Sequence, residues 1–121
     1  MKYKFTSSSS NNLKLDHSKY NIPENNNLYG KILNNDSKYN IAILFHKNGW
    51  NVRKSSFIDF EINNTFCEFE LNGHDKEPLF SGIIDIDYFD HLIEIFDLIN
   101  LKYSLELYNK QEKLIKKIKN Y

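Results

Sequence analysis

The residues in this chain best suited to chemistry are two groups of carboxylates, each spaced to occupy one face of one structural element. The first group alternates with apolar residues in two short segments, and the second recurs at i, i+4 and i+7. The members are Asp59, Glu61, Glu68 and Glu70 in the first group and Asp90, Glu94 and Asp97 in the second. Carboxylates grouped in this way can hold a divalent metal, act as an acid–base pair or attract a basic partner.

The chain carries no net charge, but its charges are sorted by position. Residues 1–54 hold nine Lys or Arg and three acids, residues 55–101 hold one Lys and eleven acids, and residues 102–121 hold six Lys and two acids. Solubilising charges are normally mixed in sign, so the acidic middle indicates a local negative surface. Such a surface attracts basic proteins and repels nucleic acid, and we therefore predict a basic protein partner and no nucleic-acid partner.

The other reactive residue types form no recognisable catalytic, cofactor-binding or metal-binding motif. The four histidines, His17, His46, His74 and His91, share no metal-ligand spacing. Cys67 is the single cysteine, and its apolar neighbours predict a small buried side chain rather than a nucleophile. We therefore predict a protein that is not an enzyme and has no cofactor. The alternative from another class is a small enzyme that uses the carboxylates with a divalent metal.

Length and composition favour a single domain over residues 1–121, with a core rich in aromatic residues. No apolar stretch follows the N-terminal lysines, so no signal peptide is predicted. The segment Ile83–Leu101 is the most apolar, but it carries five acids and cannot span a bilayer. These features predict a cytoplasmic protein with no membrane partner, and they leave its oligomeric state open.

A period of two begins at Leu28 and predicts three strands before residue 55: Leu28–Leu33, Tyr39–Phe45 and Trp50–Lys54. The first two would form a hairpin. A four-residue loop after the second would pair Phe45 with Trp50 and Ile43 with Val52, so that large apolar side chains face one another.

The next two segments, Phe57–Ile62 and Cys67–Leu71, predict a hairpin with one apolar and one acidic face. A four-residue loop would pair Ile62 with Cys67, Phe60 with Phe69 and Ile58 with Leu71. This register places the four acids of the first group together on the other face. Like charges opposite one another destabilise a sheet, so this arrangement has a cost.

The period then changes to 3.6 and predicts one amphipathic helix over about residues 87–100, capped by Asp85 or Asp87. A strand over Leu79–Asp85 precedes it, and a hairpin of Tyr103–Leu107 with Leu114–Ile118 follows it. Polar stretches at Ser7–Asn12 and Pro23–Asn27 are predicted loops. The predicted fold class is α+β: an antiparallel meander of about six to seven strands, with the helix on one face and a C-terminal hairpin.

The layout of residues 80–118 resembles that of small bacterial immunity proteins from polymorphic-toxin and contact-dependent-inhibition systems. A glycine-containing strand, Phe80-Ser81-Gly82-Ile83-Ile84, leads through the acidic Asp85-Ile86-Asp87 into a helix containing Leu92, Ile95 and Leu98, and Tyr103-Ser104-Leu105-Glu106-Leu107-Tyr108 opens the closing hairpin. The resemblance implies a cytoplasmic protein that neutralises a cognate toxin by occlusion.

Together these expectations indicate a non-enzymatic inhibitor of a basic partner, namely a bacterial toxin domain of nuclease type. The seven acids of the two groups are its predicted partner-binding residues. A phage-encoded inhibitor that mimics nucleic-acid charge against a bacterial defence complex is the alternative with the same chemistry.

Overall fold

The computed structural model describes residues 3–5, 14–33 and 36–121, so the predicted loop at Ser7–Asn12 lies outside the described residues. In chain order the elements are β1 Leu28–Ile32, α1 Lys38–Lys47, β2 Asn51–Lys54, β3 Phe60–Asn63, β4 Cys67–His74, β5 Glu77–Ile84, a 3-10 turn Ile86–Tyr88 that leads into α2 Phe89–Leu98, β6 Tyr103–Tyr108 and β7 Leu114–Asn120. The α+β class, the seven antiparallel strands and the C-terminal hairpin β6–β7 are confirmed. Pro23–Asn27 is a loop, as predicted.

The strands form one sheet in the order β2-β3-β4-β5-β1-β6-β7. This order is not a simple meander, because β1 lies between β5 and β6 and pairs with both of them antiparallel. The predicted pairing of β1 with a strand at Tyr39–Phe45 is therefore wrong. The strand β7 lies at one edge of the sheet, where lysines on an exposed edge discourage pairing with other chains.

Residues Tyr39–Phe45 belong to α1 and not to a strand. Ser37 begins the helix, since its Oγ accepts a hydrogen bond from the backbone N–H of Asn40 at 3.1 Å. The apolar run 41–45 is continuous, and such a run does not distinguish a buried strand from a buried helix. Because the chain is helical up to Lys47, the predicted strand pairs of Phe45 and Ile43 do not form. Phe45 and Trp50 do meet, but as packed rings with centroids 5.3 Å apart.

The second helical segment confirms the predicted amphipathic helix within two residues at its C-terminal end. The Asp85 side chain caps it by accepting a hydrogen bond from Asp87 N at 3.0 Å, as one of the two predicted caps. Phe89, Leu92 and Phe96 of α2 are buried. They pack the helix on the same face of the sheet as α1, because the ring of Phe96 contacts those of Phe45, Phe80 and Tyr103.

The two helices thus cover one side of the sheet, called here the core face, and leave the other side as the open face. Gly82 shows how tightly the core face of the central strands is packed. A Cβ atom on Gly82 would collide with the backbone of Glu68 and Phe69 in the neighbouring strand β4. Only glycine permits this approach.

The hairpin β3–β4 has the predicted faces but not the predicted register. Phe60 pairs with Leu71 and Ile62 with Phe69, two residues away from the expected partners. The turn forms later in the chain than expected, because Asn64 Oδ1 accepts hydrogen bonds from the N–H groups of residues 66 and 67 at 3.0 and 2.9 Å. A shift of two residues leaves every side chain on its own face, so the apolar residues still point to the core.

Candidate functional site

The hairpin places Glu61, Glu68 and Glu70 together on the open face; we call them the hairpin acids. Glu61 lies directly opposite Glu70, and Glu68 pairs with Asn63, next to Glu61 along β3. The alternate residues of both strands are buried on the core face. These three positions are on the face where the sequence predicted them, because the register differs from the predicted one by two residues and side chains alternate with a period of two.

Among the described residues, one cation is paired with these three carboxylates. Arg53 of β2 lies opposite Glu61, and its Nη2 is 2.6 Å from Glu61 Oε2. Glu70 is exposed and accepts a hydrogen bond from the Asn72 side-chain amide at 2.8 Å. The remaining carboxyl, that of Glu68, has no ion pair within the described residues.

The pKa of Glu68 is raised from its ordinary value of 4.5. Partial burial is the largest cause, and the neighbouring Glu61 carboxyl adds to it through a hydrogen bond and its charge. Arg53 and His17 act in the opposite direction without cancelling the shift. The raised pKa shows that the folded protein disfavours the charged form of Glu68, which a further cation nearby would stabilise.

Two of the hairpin acids, Glu61 and Glu68, border a cavity of about 560 Å³ at the edge of the sheet. Glu61, Glu68 and Arg53 form its polar wall, and the N-terminal segment at Lys14 and Leu15 borders it as well. That segment is tied to the hairpin turn, since the N–H of Asp16 donates to the carbonyl oxygen of Thr65 at 2.9 Å. Glu61 and Glu68 are therefore accessible from this cavity, whereas Glu70 is exposed outside it.

Asp59 does not belong to this group, which corrects the prediction. It lies before β3, and its Oδ1 is 3.0 Å from Nζ of Lys38 at the start of α1. The Lys38 side chain is only 4% exposed and also donates to the carbonyl oxygen of Gly73. A buried ammonium needs such partners, so Asp59 ties the segment before β3 to the helix.

The helix acids Asp90, Glu94 and Asp97 are exposed along α2 as predicted, but they lie on the other side of the sheet from the hairpin acids. Two of the three have partners in β6 or β7. Asp90 is 3.5 Å from Lys116 Nζ. Asp97 accepts hydrogen bonds from the Tyr103 hydroxyl at 2.7 Å and from the Asn120 amide at 3.1 Å. The seven predicted acids therefore do not form one surface.

The partners of two histidines and the environment of the cysteine are defined in the structure. His46 Nδ1 lies 2.6 Å from the Tyr3 hydroxyl, and His74 Nδ1 accepts from the N–H of Lys76 at 3.2 Å. In the described parts of the chain, no three His, Cys, Asp or Glu side chains are grouped as metal ligands. Burial raises the pKa of the Cys67 thiol well above its usual range, which is the state of an unreactive thiol.

Sequence reasoning missed a cluster of half-buried aromatic residues at one end of the sheet. Phe66 of the β3–β4 turn stacks on Tyr88 with ring centroids 5.3 Å apart, and Tyr20 meets Tyr88 edge-on at 4.8 Å. Trp50 and His91 lie next to Phe66, at 6.0 and 6.1 Å. These residues are far apart in sequence and follow no period, so no local signal connects them.

Comparison of the chain with protein-family models, with curated proteins and with solved structures finds no match. In the part of the chain that the structure describes, neither helix has the length and apolar character needed to cross a membrane.

Proposed function

We propose that this protein is a non-enzymatic inhibitor that binds a basic protein partner through the hairpin acids. The partner we infer is a cognate bacterial toxin domain of nuclease type. A nuclease site is basic because it holds phosphate, and an acidic surface that occupies it would exclude the substrate. In this proposal the inhibitor acts in the cytoplasm, beside the toxin.

The observation that carries the proposal is the grouping of Glu61, Glu68 and Glu70 beside a single arginine. Like charges opposite one another in a sheet destabilise it, so this grouping has a cost in the free protein. A basic partner would reverse that cost, because it supplies the missing cations. Neutralising one of these acids should therefore stabilise the free protein and weaken its binding to the partner.

The experiment is a quantitative pull-down from the native host with three baits that differ only in surface charge. The wild-type bait is compared with Glu68→Lys/Glu70→Lys and with the control Glu24→Lys/Glu112→Lys, which changes net charge equally at exposed residues outside the hairpin β3–β4. We expect a basic protein that is retained by the wild type and the control and lost from the hairpin variant. Equal retention by all three baits would contradict the proposal.

Kinetics with the recovered partner sharpen the test. Reversing the hairpin acids should slow association more than it speeds dissociation, because long-range attraction acts on encounter. Raising the salt concentration should weaken the wild-type complex in the same way, since screening shortens the reach of surface charge to about 10 Å at 0.1 M salt. Reversal of Asp90 should have little effect, because Lys116 already pairs with it.

The phage-encoded inhibitor that mimics nucleic-acid charge rests on the same acids and differs in the identity of the basic protein. A toxin encoded beside this gene would favour immunity. A nucleic-acid-binding subunit of a defence complex would favour the phage function.

A further inference from the structure

A second cavity, of about 330 Å³, lies beside the β3–β4 turn, between the end of α1 and the middle of α2. Its lining includes Gly49, Trp50, Phe66, His91, Glu94 and Ile95. The volume is at the lower end of the range for small-molecule sites and suits one side chain of a partner better than a large ligand.

The electrostatics of this cavity favour a cation. Glu94 is the one acid of α2 in the predicted stripe that has no ion-pair or hydrogen-bond partner within the described residues. The C-terminal end of α1 is also at the cavity, because Asn48 and Gly49 follow the helix directly and both line the wall. A helix C-terminus carries partial negative charge. Lys47, the last residue of α1, has its Nζ over the ring of Tyr3, 5.9 Å from the ring centroid.

The wall of the cavity is aromatic as well as negative. Phe66 is half-buried there, with the rings of Trp50 and His91 packed at steep angles of 73° and 66° to its own. Aromatic rings attract cations through their negative faces, and a planar guanidinium stacks on a ring where a compact ammonium does not. Aromatic rings beside a single acid therefore suit the planar guanidinium of arginine better than the ammonium of lysine.

We propose that this cavity binds an arginine side chain of the basic partner, with its guanidinium against Phe66 and paired with Glu94. The inference rests on the proposed function, since it names one anchor by which a basic protein is held. Because the hairpin acids lie on the other side of the sheet from α2, the partner would reach both around the β3–β4 turn, which carries Phe66. The hairpin acids then give long-range attraction, and the cavity gives a position-specific contact of the kind that concentrates binding energy in an interface.

The test uses the protein alone, with N-acetyl-arginine amide as the probe and N-acetyl-citrulline amide as its uncharged counterpart of nearly the same shape. Trp50 is the only tryptophan, so its indole N–H gives one unambiguous NMR signal at the cavity. At pH 8 and low salt we expect a saturable shift of this signal with the arginine probe, and binding at least about tenfold weaker with citrulline.

Two matched pairs of variants locate the site. Glu94→Gln should weaken binding of the arginine probe at least about fivefold, whereas Asp90→Asn on the same helix should not change it. Ile95→Phe should fill the cavity and abolish the shift, whereas Leu98→Phe, at a position that is 71% exposed and outside the cavity, should preserve it.

No shift of the Trp50 signal up to the solubility limit of the probe would overturn the inference, and so would equal shifts with arginine and citrulline. Neither result changes the conclusion from the pull-down, because that experiment depends on Glu68 and Glu70. Conversely, binding of the arginine probe, together with equal retention of the partner by all three pull-down baits, would support this cavity and reject the proposed function.

Discussion

The hairpin β3–β4 and the helix α2 both present acids to solvent, yet the two regions differ in what lies across from those acids. On the hairpin, Arg53 is the only ion-pair partner that the described residues provide, and Glu68 is left with a raised pKa. On the helix, β6 and β7 supply the partners of Asp90 and Asp97. A charge pattern thus gives the face on which acids lie, whereas the tertiary structure decides whether they remain available to another protein.

The largest expected effect tests whether the buried sides of the two regions are equivalent. Phe69 of β4 and Phe96 of α2 both contact Phe45 and Phe80 and are almost completely buried. Replacing either by Ala should lower the free energy of unfolding by about 3–5 kcal/mol, measured by chemical denaturation. Leu98→Ala on the exposed side of α2 is the control. A loss below about 1 kcal/mol for Phe96→Ala would mean that α2 is not packed as described.

The next largest effect separates Asp59 from the hairpin acids. Asp59→Ala should lower the free energy of unfolding by about 2–3 kcal/mol, because the buried ammonium of Lys38 loses its counter-charge. Adding Lys38→Met should recover part of the loss, since both charges are then removed. Glu70→Ala, in the hairpin itself, should cause no loss. Equal losses for Asp59 and Glu70 would contradict the separation of Asp59 from the hairpin acids.

A smaller effect tests the acids of the helix. Tyr103→Phe removes the hydrogen bond to Asp97 and should lower the free energy of unfolding by about 1 kcal/mol at pH 8. Burial, and then Asp97, raises the pKa of Tyr103 to about 12 from 10.0. The contribution of the hydroxyl is therefore complete below pH 10 and is lost as the pH rises through about 12. The difference between wild type and variant should shrink over that range in urea titrations, and a constant difference would count against the bond.

The smallest effect has the opposite sign and concerns Glu68. Because its folded-state pKa is raised, the protonated carboxyl stabilises the protein below pH 4.5, and this contribution is lost as the pH rises through the raised value. Glu68→Gln should therefore stabilise the protein at pH 7 by a few tenths to about 1 kcal/mol and have little effect at pH 4. Glu106→Gln on the same open face is the control, since Glu106 lies opposite Lys117 and should give no gain.

The sequence was informative where one period decides the structure, as in the two faces of the hairpin and the apolar side of α2. It was misleading at residues 41–45, where a continuous apolar run suits either element, although Ser37 and the buried spacing of Ile41, Ala42 and Phe45 are helix signals. The contact between Lys38 and Asp59 could not be predicted, because it depends on where α1 docks. The same holds for the aromatic cavity at Glu94, whose residues come from α2 and from two connections that are distant in sequence.

The position of β1 has a consequence for how the chain acquires this fold. β1 at residues 28–32 has its two partners in β5 and β6, which end at Ile84 and Tyr108. During synthesis, the centre of the sheet therefore stays incomplete until nearly nine-tenths of these residues have been made. Long-range pairings of this kind slow folding, because the entropy cost of closing a long loop comes before the stabilising contacts can form. We expect folding to be completed after β6 leaves the ribosome, with the hairpin β3–β4 formed early and β1 lacking its second partner until then.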